Sequence, residues 1–261
     1  MLVFLVTVLM FFSGDTSGSD NSGNTLSIAV FEDHERYVEA SSSYGLSWQL
    51  FSYAAEKAGF SLELYPSSWR ASMSLLQNEK VDLVFGALRT KDREQWAIFS
   101  VPLITEGSAL FVESSSSIKQ FSDIDTKTMM VGVSANSVQA DLARSLGFEN
   151  IYETIDRPQL YDMLAAKRLD LLFFGTSIID YYCTHFNDSQ SSQCMRQVSP
   201  LYATDSVHVI ALSTNSQSVE KLALINQTIV ANQHSKVVYG LFEQYPNAND
   251  SHSDWVAKLA N

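Results

Sequence analysis

Residues 76–86, LQNEKVDLVFG, and residues 164–175, LAAKRLDLLFFG, decide the fold. Each reads as the last turn of an amphipathic helix running straight into an unbroken apolar strand. Leu76 and Leu164, Asp82 and Asp170, Leu83 and Leu171, and Phe85 and Phe173 coincide, and Lys80 stands opposite Arg168. A strand that is apolar at successive positions, with no polar alternation, is one covered on both faces. Parallel sheets flanked by helices produce that pattern.

The same order recurs on either side of these two stretches. Before the first lie a strand at 26–30 (LSIAV), a helix at 46–58 with Leu46, Leu50, Phe51, Ala54, Ala55 and Ala58 on one face, a strand at 61–65 and a helix at 70–77. Gly59 stops the first helix. Before the second lie a strand at 129–133, a helix at 137–146 capped by Asn136 or Ser137 and stopped by Gly147, a strand at 150–154, and a helix capped by Asp156 with Pro158 in its first turn. Two β-α-β-α-β units in one chain predict two α/β lobes. Strands at 108–112 and 207–213 lead out of the first unit and back to it. The helical residues 216–259 are too few for a lobe of their own and are expected to pack on the first. The expected lobes are therefore 26–109 with 206–261, and 110–205, joined by a two-strand hinge.

The formal charge of −12 excludes a nucleic-acid binder, which needs a basic face. Residues 2–12 form an apolar run too short to span a bilayer but suited to a secretory signal, and a small polar stretch follows as a tether through residue 25. An exported, monomeric protein is expected. In such a compartment Cys183 and Cys194 are expected to form a disulfide. The alternative, a metal held with His185, lacks a standard ligand spacing, and no metal or cofactor is expected.

The order of motifs resembles type 2 periplasmic solute-binding proteins, in the branch that includes polar amino acid binders. The resemblance is carried by Tyr44-Gly-Leu and the helix through residue 59, by Ser68-Trp-Arg, and above all by residues 86–94 (GALRTKDRE) followed by 99–103 (FSVPL). It implies a periplasmic-binding-protein-like type II fold, each lobe a mostly parallel sheet flanked by helices. It also implies a small polar ligand held between the lobes and delivered to an ABC permease. In the family, the Arg of that motif grips a carboxylate, and here it maps to Arg93. A guanidinium offers a carboxylate two parallel hydrogen bonds. The alternative for Arg93 is an ion pair with Asp92 or Glu94. Trp69 maps to a cleft aromatic, and Gly86 to a close backbone approach. Ser134, Asn136 and Ser137 open a helix whose N–H groups could receive an anion.

Two departures stand out. Leu88 occupies a position where amino acid binders carry a small hydroxyl. Gly175 stands where they carry the acid that pairs with the ligand's ammonium, and the next acid along the chain is Asp180. An acid-bearing ligand is therefore expected, whether or not it is an amino acid, in a cleft made aromatic by Phe31, Trp69 and Phe174. A sensor module would use the same cleft. A dehydratase would need an acid or base among Glu32, Asp33, His34 and His208. The residues around Glu32 read as a solvated loop and His208 as a packed strand residue, so no enzyme is expected.

Overall fold

A computed structural model describes residues 24–185 and 194–260. The expected export signal and most of the expected tether lie outside the described residues. The first sheet contains β1 (Thr25–Val30), β2 (Ser61–Pro66), β3 (Leu83–Ala87), β4 (Ala97–Phe99) and β11 (His208–Leu212), in the order β2-β1-β3-β11-β4. The second contains β5 (Thr105–Glu113), β6 (Met130–Ser134), β7 (Asn150–Thr154), β8 (Leu171–Gly175), β9 (Met195–Gln197) and β10 (Tyr202–Ser206), in the order β10-β5-β8-β6-β7, with β9 on the far end of β5. The parallel part of each sheet is its β-α-β-α-β unit, β2-β1-β3 and β7-β6-β8. The connecting strands β5 and β11 add to these units antiparallel.

The two repeated stretches fold alike in detail. Helices α3 (Trp69–Gln77) and α5 (Arg157–Ala165) both end on a residue with positive φ, Glu79 and Lys167, each at 55°. In both, the next N–H reaches back five residues, Lys80 to Leu75 and Arg168 to Met163, each at 2.8 Å. This closes the orphan carbonyls of the last turn. Asp82 then accepts the backbone N–H of Ser27 at 2.9 Å, and Asp170 that of Met130 at 2.7 Å. The coincident aspartates thus pin the start of each buried strand to its parallel neighbour.

Burial follows the period of two. Leu26, Ile28 and Val30, Leu83 and Phe85, and Val209 and Ala211 enter one apolar cluster, while Ala29, Val84 and Ile210 enter a second on the opposite face. In the other sheet Ala109, Phe111, Leu172 and Phe174 join the first cluster, while Leu110, Val112, Leu171 and Phe173 form a third. Both sheets are buried on both sides, which is why their strands read as unbroken apolar runs.

The N-terminal helices depart from expectation. α1 (His34–Ala40) begins where a loop was expected, and α2 (Ser42–Lys57) starts four residues earlier than its apolar spacing indicates. His34 is buried, with the rings of Tyr44, Trp48 and Phe85 edge-on around it. The acidic residues beside it masked this apolar anchor. Of the C-terminal helices, α7 (Ser216–Asn232) packs against α2 and β11, α8 (Lys236–Gln244) packs against α2, and α9 (His252–Leu259) enters the same apolar cluster through Trp255. Trp255 of α9 is fully buried and donates to the Pro102 carbonyl at 3.0 Å.

The chain passes between the sheets at 103–105 and again at 206–208. The two crossings hydrogen-bond to each other, Leu103 N–H to Val207 and Val207 N–H to Ile104, both at 2.9 Å. Asp250 accepts from the Thr105 N–H at 2.6 Å and pairs with Lys258 at 2.7 Å, so the C-terminal helix braces the crossing. In the second sheet's half, α6 (Thr176–His185) is tied to the start of β9 by the Cys183–Cys194 disulfide.

Candidate functional site

Between the sheets lies a cleft of about 80 Å³, lined from both sides. Helix α4 (Val138–Ser145) and the carboxyl ends of β3, β6 and β8 face it.

On the first sheet's side, the last-but-one residue of β3 is Gly86, whose φ of +93° suits glycine. No atom lies within 4 Å of where a Cβ would stand there, so conformation and not crowding requires the glycine. The turn carries Leu88 and then Arg93, which opens a single 3₁₀ turn, Arg93–Gln95. Arg93 is buried and donates to the Leu88 carbonyl at 2.8 Å. Its guanidinium lies 5.0 Å from the centre of the Trp69 ring. Glu94 pairs with Arg89 at 3.2 Å, and Arg93 makes no ion pair among the described residues. Burial lowers the Arg93 pKa, and the more distant charges of Asp141 and Asp92 offset this in part. A desolvated guanidinium with unused donors is poised for an anion.

Trp69 is the first residue of α3, behind the Ser68 cap. It packs on the first sheet's outer cluster and also lines the cleft. Its indole N–H crosses the cleft to the Asn136 carbonyl at 3.1 Å. Phe31 follows β1, stacks on Tyr44, and lines the same wall.

On the second sheet's side, Ser134 ends β6 and Ser137 caps α4. The Ser137 hydroxyl is committed to that cap, accepting from Ala140 N–H at 3.2 Å and donating to the Ser134 carbonyl at 2.6 Å. Asn136, in the left-handed region at φ 58°, does not line this cleft; it lies at the outer opening and offers only its carbonyl to Trp69. Phe174 is a second correction. It is fully buried in the apolar cluster, because the β8 position that faces the cleft is the next one, Gly175, on the other side of the pleat.

The acid missing at Gly175 is supplied from the next strand. Ser108 of β5 lies opposite Gly175 in register, which puts Glu106 beside the end of β8. A Cβ on Gly175 would stand 3.4 Å from the Glu106 carboxylate. Glu106 is buried and accepts from the Thr176 hydroxyl, the Ser177 hydroxyl and the Ser177 N–H, the last at 3.1 Å. Both of its carboxylate oxygens are thus held by the first residues of α6. Among the described residues it has no cationic partner.

Arg157 is the second residue that sequence reasoning missed. It is the first residue of α5, lies 4.2 Å over the Phe31 ring, and bonds to Tyr37 Oη at 2.8 Å and Ser134 Oγ at 3.3 Å. Gln139 and Ser177 complete the polar lining, Gln139 donating to Ser108 Oγ at 2.7 Å.

The acid–base candidates lie elsewhere. His208 is buried and bonds to the Ser100 carbonyl at 2.8 Å. His34 bonds to Tyr44 Oη at 2.9 Å. Glu32 and Asp33 border a separate cavity, where Asp33 accepts from the Tyr181 hydroxyl across the lobes.

Residues 35–248 match the model of the bacterial extracellular solute-binding proteins, family 3. The chain belongs to this family. Its members are binding proteins, and the fold and cleft above are those of that class. The chain is 27% identical over 187 residues to the arginine-binding extracellular protein ArtP of Bacillus subtilis, covering 69% of this chain and 72% of that protein. The periplasmic binding protein of an arginine third transport system from Legionella pneumophila superposes with a TM-score of 0.71 at 17% identity, over 85% of this chain and 99% of that one. A histidine kinase sensor domain resembling periplasmic binding proteins gives 0.71 at 15% identity, over 86% and 96%. Among the described residues no helix is long and apolar enough to cross a membrane.

Proposed function

We propose that this family 3 protein captures a small zwitterion outside the cytoplasmic membrane and delivers it to an ABC-type permease. The ligand's carboxylate lies on Arg93 and its cationic nitrogen on Glu106. The observation that carries this reading is the opposition of those two buried, ion-unpaired charges across one cleft, one from each sheet. The acid-bearing ligand expected from Arg93 therefore keeps its acid and regains a partner for an amine. Gly86 and Leu88 shape the wall beside Arg93, while Trp69 and Phe31 give the ligand apolar faces. The paired crossings at 103–105 and 206–208 form the hinge between lobes 26–109 with 206–261 and 110–205. Ligand that touches both lobes stabilises the closed arrangement over the open one.

The test is a thermal-shift screen of amino acids against wild type and Arg93→Ala. A stabilising ligand whose effect vanishes in Arg93→Ala supports the reading. Equal stabilisation of both proteins overturns the assignment of the carboxylate site. A sensor role would use the same cleft, as the likeness to a kinase sensor domain illustrates at the level of fold.

A further inference from the structure

Three ionised side chains line the cleft: Arg93, Arg157 and Glu106. Two guanidiniums face one carboxylate, so a zwitterion with a single acid group leaves one positive charge unbalanced. Arg157 is that charge. Its Nε and Nη1 bond only to hydroxyls, those of Ser134 and Tyr37, and its face lies on Phe31. No carboxylate among the described residues makes an ion pair with it, and Nη2 has no hydrogen-bond partner there. Burial works against its charge, but Tyr37, Tyr161 and Tyr44 more than offset this, so its pKa stands above the usual guanidinium value. A guanidinium held charged, with a spare edge and no counter-ion, is open to an anion.

The Tyr37 bond alone does not explain the residue. A phenol could be met by an amide or an amine, and neither stacking on Phe31 nor bridging to Ser134 needs a full charge. A planar fork with a spare edge beside a cleft is suited to a second acid group.

We infer that Arg157 is a specificity-determining residue that holds a second acid group of the ligand, so that the preferred ligand is an amine bearing two acids, of the class of L-glutamate and L-aspartate. This rests on the reading of Arg93 and Glu106 given above. It also separates this chain from the arginine-binding relative it resembles, because a cationic side chain would meet Arg157 head-on.

The experiment is calorimetric titration of the purified protein, stripped of ligand, with L-glutamate, L-aspartate, L-glutamine, L-asparagine and L-arginine. An acid is expected to bind at least about tenfold tighter than its amide, and arginine more weakly than either. Arg157→Gln is expected to weaken the acid by about a hundredfold while moving the amide by no more than about threefold. Arg157→Lys should retain part of the preference. Tyr37→Phe removes the bond between lobes but keeps the guanidinium, so it lowers acid and amide together and leaves their ratio in place. The acid-to-amide ratio is therefore a readout that a purely structural role would not move, and thermal midpoints verify that each variant is folded. Amides binding as tightly as acids, or a preference that persists in Arg157→Gln, overturns the inference. If binding depends on Arg93 but shows no acid preference, only this inference fails. If binding ignores Arg93, or no amino acid binds, the proposed function fails with it.

Discussion

Glu106 and Gly175 share one site from two strands. The glutamate reaches over the glycine from β5, and a methyl group on Gly175 would already touch its carboxylate at 3.4 Å. The cleft therefore keeps a negative charge at the end of β8 although β8 itself carries none there. Glu106→Gln should weaken a zwitterionic ligand by about 2–5 kcal/mol, the range for losing one partner of a desolvated charge pair. Adding Gly175→Asp to that variant should restore a large part of the affinity, read by calorimetry. If the double variant binds no better than Glu106→Gln, the two positions are not interchangeable.

Arg93 bears the other charge. Arg93→Ala should cost a comparable 2–5 kcal/mol of binding and leave the circular dichroism spectrum unchanged. The Leu88 carbonyl it now satisfies sits beside the cleft, where water can replace the guanidinium.

The lobes touch through more than ligand. Tyr37 and Tyr181 stack with centroids 3.9 Å apart, Tyr181 donates to Asp33, and Ser41 donates to Ser177 at 3.0 Å. Tyr181→Ala should increase the radius of gyration of the unliganded protein in small-angle scattering. It should also weaken every ligand by the same factor, because it lowers the competent population and not the intrinsic affinity. An unchanged radius would show that these contacts do not set the lobe equilibrium.

Acid should unfold the protein in part through His34. Burial lowers its pKa from 6.5 to about 4. The unfolded chain then takes up the proton first, so stability is full above pH 6.5 and falls as the pH drops toward 4, by about 3 kcal/mol at most. His208, also depressed by burial, acts in the same direction. Asp180 acts oppositely, its pKa raised to about 6 by desolvation with help from Glu106. Urea midpoints at pH 7 and pH 4.5 should therefore differ less for His34→Phe than for wild type. An identical difference in both would remove His34 from the account.

Reducing the Cys183–Cys194 bond, or replacing both cysteines by serine, should lower stability by roughly 2–3 kcal/mol. The loss should appear in denaturant midpoints with ligand selectivity intact, since neither cysteine lines the cleft.

Much of this molecule is legible from its amino acids. The repeated helix-to-strand stretches are visible because periodicity and the paired aspartates Asp82 and Asp170 are local signals. Arg93 is visible through its motif. Glu106 is not, because its place beside Gly175 depends on the antiparallel register of β5 and β8, which no spacing along the chain records. One local clue is an acid two residues before the strand expected at 108–112. Arg157 hides as a helix-start residue between Asp156 and Pro158, both of which have local reasons to be there. Phe174 was misplaced by one step of the pleat, which turns a side chain to the other face. His34 was read with its acidic neighbours, and only the rings of Tyr44, Trp48 and Phe85 reveal its burial.

The indole of Trp69 gives the protein a built-in optical gauge. Its N–H is bonded to the Asn136 carbonyl across the cleft, and its ring lies under Arg93. When the lobes part, that bond breaks and water reaches the ring. Its emission should then move to longer wavelength. With Trp48, Trp96 and Trp255 changed to phenylalanine, fluorescence alone would time each opening and closing, with no attached dye.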